Sequence, residues 1–151
     1  MVKDIFTDTI WELLKTIPDP EIPAVSIVDL GIVRNVQFDE DQFNITITPT
    51  YSGCPAFTFM KEEIIRQLEL EGITNYQINT SLAPPWTTDW ISESVKMKLK
   101  EAGISPPLDY AICPQCDSVD VKIISNFGST ACKALYKCSN CQEPFHHFKK
   151  F

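Results

Sequence analysis

The chain has 151 residues, a formal net charge of -7 and six cysteines, and 44% of its residues are hydrophobic. This composition is ordinary for a folded protein, and no apolar run approaches the roughly 20 residues that a membrane-spanning helix needs. The acidic balance, without a cluster of Lys and Arg, argues against binding to a phosphate backbone. We therefore expect neither a membrane protein nor a nucleic-acid-binding protein.

The N-terminal sequence MVKDIFTDTIWELL has acidic residues within its apolar pattern and no A-x-A-like cleavage site, unlike a secretory signal. We therefore expect a cytoplasmic protein. In a reducing compartment, paired C-x-x-C motifs are metal ligands more often than disulfides. The cysteines are unevenly placed, since Cys54 stands alone in the first two thirds and the other five fall within the last 39 residues.

The first two thirds of the chain predict a two-layer α+β domain. An apolar stripe at three- and four-residue spacing predicts a helix from about residue 3 to Ile17, where Pro18 ends it. The segment PDPEIPAVS contains three prolines and predicts an extended, rigid loop that presents its side chains. The β-branched segments IVDLGIVRNVQF and FNITITPT then predict an antiparallel hairpin.

A helix is predicted after YSGCP, ending at Gly72, and YQINTSL predicts the next strand. The order strand, helix, strand predicts a right-handed crossover with parallel flanking strands, and therefore a mixed sheet. A further helix is predicted from about Thr88 to Ala102, closed by Gly103.

The C-terminal segment predicts a small zinc ribbon. After the α+β domain of residues 1–104 and a Pro-rich linker over 105–109, residues 110–151 contain three short predicted strands, VDVKIIS, KALYK and PFHHF. The motifs CPQC and CSNC are separated by 21 residues, enough for an intervening hairpin. Zinc prefers a tetrahedral set of thiolate or imidazole ligands. The predicted zinc ligands are Cys113, Cys116, Cys138 and Cys141.

Zinc with four protein ligands has no open coordination position, so the predicted role of the ion is structural. A module of about 40 residues buries little apolar surface, and metal binding would supply much of its folding free energy. A pair of disulfides, or iron in the same four sulfurs, are the alternatives. Cys132 is expected to be a small buried side chain, with a supporting or redox role as the alternative. His146 and His147 face opposite ways on a strand and are expected at the surface or in partner contacts.

Cys54 lies in TPTYSGCPAF, where a strand runs through a Ser-Gly turn into a helix. We expect Cys54 at the N-cap and Pro55 at the first helical position. Unpaired N–H groups and the positive end of the helix dipole would stabilise a thiolate there, which favours a nucleophile or a soft-metal ligand. A buried cysteine that merely fits the turn is the alternative.

Three carboxylates in loops, Asp19, Glu21 and Asp29, are weaker candidates for hard metal ligands or a general base, because most acidic loop residues are simply solvated. The first 104 residues contain no histidine, which weakens an interpretation as a Cys-His hydrolase or protease.

DPEIP, SIVDLGIV and TPTYSGCP, followed by a helix and PPW, resemble the small domain shared by iron-sulfur assembly factors and SufT-like bacterial proteins. CPQC, FGSTACKALYKC and SNCQEPFHHFK resemble the C-terminal end of the PaaD family of bacterial phenylacetate degradation. The resemblance implies an accessory protein, not an enzyme, that assembles or inserts an iron-sulfur or other iron centre in a multicomponent phenylacetyl-CoA epoxidase. It implies that Cys54 handles the iron, whereas for Asp19, Glu21 and Asp29 it gives positions but no roles.

One thiolate cannot hold a cluster alone, because iron-sulfur clusters usually take four cysteine ligands. The implied partners are therefore a second copy of the chain, as a homodimer, an epoxidase subunit or the epoxidase reductase. Three alternatives stay open: a structural subunit that bridges oxygenase and reductase, an enzyme with Cys54 as its nucleophile, and a DNA-binding zinc ribbon, which the acidic balance disfavours.

Overall fold

The computed structural model describes residues 2–51 and 53–151, and gives only the backbone for residues 2–5. The chain divides into two compact units, residues 1–86 and 87–151, each with a sheet of its own. The predicted α+β class is confirmed. Among the described residues, no helix combines the length and the apolarity needed to cross a membrane.

The first unit contains a three-stranded mixed sheet with two helices. Its elements are α1 (Val2–Lys15), β1 (Val33–Asp39), β2 (Gln42–Ile47), α2 (Ala56–Leu70) and β3 (Tyr76–Thr80). The sheet order is β1-β2-β3; β1 and β2 are antiparallel, and β2 and β3 are parallel. The hairpin and the parallel crossover predicted from the sequence are both confirmed.

The core of this unit follows the periodicity of the sequence. Helix α2 buries one stripe at four-residue spacing, formed by Ala56, Met60, Ile64 and Leu68. The helix ends before Gly72, whose φ of 76° lies in the left-handed region that a side chain disfavours.

The predicted conformation of the PDPEIPAVS loop is wrong. Asp19, Ile22 and Val25 are 4%, 3% and 1% exposed, so the loop packs its side chains instead of presenting them. The Asp19 carboxylate accepts hydrogen bonds from the amides of Glu21 and Ile22 at 2.8 and 2.9 Å, and the Asp19 amide donates to Val25 O at 2.9 Å. These local bonds fold the segment into a compact turn, a possibility that proline dihedral preferences alone do not reveal.

The second unit contains a four-stranded sheet. Its elements are a 3₁₀ turn (Thr88–Trp90), α3 (Glu93–Glu101), β4 (Ile104–Ser105), β5 (Val121–Ser125), β6 (Lys133–Cys138) and β7 (Pro144–Phe148). The sheet order is β4-β7-β6-β5, with β4 and β7 parallel and the other pairs antiparallel. The three short C-terminal strands are confirmed.

The predicted helix from Thr88 to Ala102 is interrupted. It consists of the 3₁₀ turn and a separate helix α3, because the Ser92 side chain accepts the amide hydrogen of Val95 at 3.3 Å and starts α3 there. The compact units divide after Trp86, whereas the predicted linker was placed at residues 105–109.

The first residue of the predicted linker, Ser105, lies within the second sheet. It is fully buried in β4, which pairs with β7. Its hydroxyl oxygen lies 2.9 Å from His147 Nδ1 and accepts the Ile112 amide hydrogen at 3.0 Å.

The predicted surface position of His147 is wrong. The side chain is 7% exposed and meets the Tyr136 ring edge-on at 5.6 Å. His146 is half-buried, and its Nε2 accepts the Ser129 amide hydrogen at 3.3 Å. Burial lowers the pKa of both imidazoles. Strand alternation predicts that the two rings lie on opposite faces of the strand. The burial of His147 could not be predicted, because β4, which covers it, is short and has no strong sequence signal.

We expect the second unit to lose stability in mild acid through His147. The unfolded chain takes up a proton as the pH falls below about 6.5, whereas the folded imidazole, with its lowered pKa, stays neutral. The free energy of unfolding of the metal-loaded protein should therefore fall more steeply below about pH 6.5 in the wild type than in His147→Gln. Chemical denaturation at a series of pH values measures this. A free energy of unfolding that falls equally steeply in the wild type and in His147→Gln would contradict the prediction. His146→Gln is the control, and it should flatten the profile less, since His146 is less buried.

Candidate functional site

The four predicted zinc ligands lie together in the second unit. The Sγ atoms of Cys113, Cys116, Cys138 and Cys141 are all within 4.8 Å of one another. Cys113 and Cys138 are fully buried, whereas Cys116 and Cys141 are exposed. The cluster could therefore hold a metal ion at the border between the core of the unit and the solvent.

Both C-x-x-C segments fold into the same turn. In each, the amide of the first cysteine donates to the carbonyl five residues later, and its carbonyl accepts from the amide four residues later. The four bonds are Cys113 N to Ser118 O, Asp117 N to Cys113 O, Cys138 N to Glu143 O and Gln142 N to Cys138 O, all at 2.9 to 3.0 Å. The residue after the second cysteine has a φ of 62° or 67° in the two turns. The repeated turn explains how two local motifs build one site.

The spacing of the sulfur atoms fits tetrahedral metal coordination. Four sulfurs at about 2.3 Å from a zinc ion lie about 3.8 Å apart. The pairs Cys113–Cys141 and Cys116–Cys138 are each separated by 3.6 Å, much longer than a disulfide bond of about 2.05 Å. Cys132 is not part of this cluster; it is buried, as predicted, and its Sγ lies 3.0 Å from Thr130 Oγ1.

Hydrogen bonds to sulfur differentiate the thiols. Donors from the Asn140 side chain, at 3.5 Å, and from the Ser118 backbone lower the pKa of the Cys116 thiol to about 6. A Glu143 amide acts to lower the pKa of Cys141, but burial and the neighbouring sulfurs raise it to about 12. Sequence reasoning missed Asn140, although its place just before Cys141 within the second motif puts it next to the site.

Cys54 lies at the start of α2 in the first unit. Its amide donates to Tyr51 O and its carbonyl accepts from the Phe57 amide, both at 3.2 Å. The predicted N-cap is one residue off, because α2 begins at Ala56 and Pro55 is the cap, with helical dihedrals. The i to i+3 bond to Phe57 makes the first turn tighter than an α-helical one, which shifts the boundary.

The Cys54 thiol is only 8% exposed. The Thr50 hydroxyl lies 4.0 Å from its Sγ, within reach of a weak hydrogen bond. Gly53, just before it, has a φ of 81°, which a side chain would strain. The turn therefore holds Cys54 in a defined place while covering most of its surface.

Two of the three candidate carboxylates, those of Asp19 and Asp29, are engaged in local structure. Asp19 caps its own loop, as described above. Asp29 Oδ2 accepts the Ser26 amide hydrogen at 3.1 Å, and Ser26 Oγ accepts the Asp29 amide hydrogen at 3.0 Å, a reciprocal capping box. Glu21 is half-exposed. In the described part of the chain, Cys54 and these carboxylates do not form a group of three or more potential metal ligands.

Comparisons with known proteins match both parts of the chain. Residues 105–149 match the model of the PaaD zinc beta ribbon domain, and residues 7–79 match that of iron-sulfur cluster assembly proteins. A protein of Escherichia coli (strain K12), provisionally named as a subunit of 1,2-phenylacetyl-CoA epoxidase, is 48% identical over 149 residues, which cover 93% of this chain and 90% of that protein. The chain belongs to the PaaD family. The resemblance seen in the sequence motifs is confirmed.

Two further similarities concern a smaller part of the chain. A Porphyromonas gingivalis (strain ATCC BAA-308 / W83) protein named Fe-S protein maturation auxiliary factor is 35% identical over 94 residues, covering 61% of this chain and 89% of that protein. The crystal structure of a domain of unknown function, DUF59, from Bacillus anthracis has a TM-score of 0.60 and 29% identity, covering 66% of this chain and 95% of that chain. This chain is thus similar to these two proteins over about two thirds of its own length.

We expect Cys138→Ser to abolish stable metal binding, because a buried ligand is lost from a set of four. Metal analysis should show about one zinc per chain in the wild type and a large loss in the variant. Limited proteolysis should then cut within residues 87–151. Cys132→Ser is the matched control, since it changes a buried cysteine outside the cluster, and it should keep its zinc. Equal zinc content in the two variants would contradict the assignment of Cys138.

We expect Asp19→Ala to destabilise the first unit by about 1–3 kcal/mol, because two amides lose their acceptor in a buried loop. Glu21→Ala, two residues away and half-exposed, should cost less than about 0.5 kcal/mol. Urea unfolding followed by circular dichroism measures both. An unchanged midpoint for Asp19→Ala would show that these bonds do not stabilise the loop.

Proposed function

We propose that this PaaD protein is a non-catalytic, cytoplasmic accessory factor of bacterial phenylacetate catabolism. In this role it assembles or inserts an iron-sulfur or other iron centre in a component of the multicomponent phenylacetyl-CoA epoxidase. One observation carries the proposal: the chain resembles a protein named as an epoxidase subunit along 93% of its length and an Fe-S maturation factor along 61% of its length. The iron or cluster is cargo, and the client is an epoxidase subunit or the reductase.

Cys54 is the residue proposed to handle the cargo. It is the one cysteine in residues 1–86, and a sulfur ligand suits iron and iron-sulfur clusters. At 8% exposure, the sulfur must be uncovered by a movement of the turn or by the approach of a client. The other ligands must come from the client, a small thiol or a second copy of the chain, because one sulfur does not hold a cluster.

The four-cysteine cluster is proposed to hold one structural Zn²⁺. Its four sulfurs supply a complete tetrahedral set, which leaves no position for a substrate or a water nucleophile. The ion would stabilise the ribbon by joining its two turns. It is separate in role from the transient iron proposed for Cys54.

A second candidate is a structural subunit that bridges the oxygenase and the reductase without handling iron. The burial of Cys54 favours it, together with the engagement of Asp19 and Asp29 in local hydrogen bonds. In addition, the described residues contain no preformed set of metal ligands around Cys54, which also favours the bridging role.

The two candidates differ in what Cys54→Ala does. We expect anaerobic metal and sulfide analysis, after incubation with ferrous iron and sulfide, to show iron and a thiolate-to-iron absorption band in the wild type. Cys54→Ala should keep its zinc but gain no iron. Cys132→Ala, the same change at another buried cysteine, should behave as the wild type does.

Complementation of a strain that lacks the protein provides the functional readout. For a maturation factor, Cys54→Ala should leave the epoxidase poor in iron and inactive. If the wild type gains no iron and Cys54→Ala restores growth on phenylacetate, the carrier role fails and the bridging role is favoured.

A further inference from the structure

Strand β5 (Val121–Ser125) forms an edge of the second sheet, and among the described residues it pairs only with β6. An edge strand presents backbone N–H and C=O groups that a further strand can join. The side chains along this edge are apolar and exposed: Val119, Ile123, Ile124 and Phe127 are 50 to 67% accessible to solvent. Such a run of apolar side chains on an edge strand is typical of a binding surface.

Two lysines give this edge its charge. Lys122 on β5 and Lys137 on β6 stand directly opposite each other, and like charges at such a pair repel. Neither is ion-paired within the part of the chain that the structure describes. Together with Ile124 they line a cavity of about 400 Å³. Asp120 and Glu143 are near in sequence, but the residues that line the cavity include both lysines and no Asp or Glu, so the cavity suits a carboxylate from a partner.

We propose that this surface, the β5 edge (residues 119–127 with Lys137), binds an extended segment of a partner protein in which acidic and apolar residues alternate. The segment adds to the sheet as a fifth strand beside β5. Its acidic side chains lie at Lys122 and Lys137, on the face of the sheet that Ile124 shares, and its apolar side chains cover Ile123 on the opposite face. Backbone pairing supplies affinity, and the lysine pair selects the acidic segment.

Charge argues against two other occupants. A second copy pairing β5 with β5 would bring identical lysines together, and lysine on an edge strand is a known deterrent to self-pairing. A small anion would satisfy Lys122 and Lys137 but leave the apolar side chains exposed. The inference depends on the proposed function only in that an accessory factor has a protein partner; it requires no iron chemistry at Cys54.

The test uses the full-length, zinc-loaded protein and a fluorescein-labelled ten-residue peptide of alternating Glu and Val. The matched peptides replace each Glu by Lys, or every second Val by Pro. We expect saturable binding of the Glu-Val peptide that weakens with salt, and at least tenfold weaker binding of the other two. Amide hydrogen exchange should slow along Val121–Ser125 when the Glu-Val peptide binds.

Substitutions locate the contact. Lys122→Glu and Ile123→Asn should each weaken binding by about tenfold. Lys98→Glu and Met97→Asn, the same changes at exposed positions of α3, should alter it less than about twofold. Zinc content and circular dichroism identify folded variants, and the Lys137→Glu variant provides an independent test of the lysine pair.

Equal binding of the Glu-Val and Lys-Val peptides, or full competition by free phosphate, would overturn the proposal. Self-association of the wild type that Ile123→Asn abolishes would assign the edge to a second copy and also overturn it. Cys54→Ala should bind the peptide normally. Failed iron loading with retained peptide binding would refute the maturation role and leave this inference in place.

Discussion

The second unit depends on four sulfur atoms being held at one point. The buried apolar cluster around them is small, formed by Ala111, Cys113, Cys138 and Phe145, so two of its four members are themselves candidate metal ligands. Apolar packing and the proposed metal binding would therefore act on the same residues. Hydrogen bonds from Asn140 and the Ser118 backbone lower the pKa of Cys116, whereas burial and the neighbouring sulfurs raise the pKa of Cys141. A metal ion would join all four sulfurs through bonds to one centre.

In the first unit, side-chain hydrogen bonds to the backbone order loops whose conformations are restricted by prolines. Asp19 and the Ser26–Asp29 pair supply acceptors and donors for backbone groups that have no strand or helix partner. The same carboxylates are thereby engaged in folding. Cys54 is the one cysteine in the sequence of this unit, and it is buried. In the proposed role, the further ligands of the iron would come from a partner.

The elements with a clear apolar period and the cluster of C-x-x-C cysteines could be predicted from the sequence. Helix α2 and the β1–β2 hairpin have clear apolar periods, and C-x-x-C turns bring their sulfurs together through local backbone bonds. The failures involve contacts that these patterns do not encode. The burial of His147 depends on β4, a two-residue strand that pairs in parallel across a long stretch of chain. The compact PDPEIPAVS loop depends on one carboxylate oxygen that accepts two hydrogen bonds.

In the proposed role, holding iron and recognising a client place opposite demands on one residue. A cargo that must be released cannot be bound by many strong ligands, so a single sulfur at Cys54 suits transfer but contributes little affinity for the client. Recognition energy must then come from another surface. The β5 edge can supply it, because β5 follows the first C-x-x-C turn and β6 ends at Cys138. Zinc would therefore support the recognition surface without taking part in iron transfer, which explains why a closed metal site and a single reactive sulfur are useful in one chain.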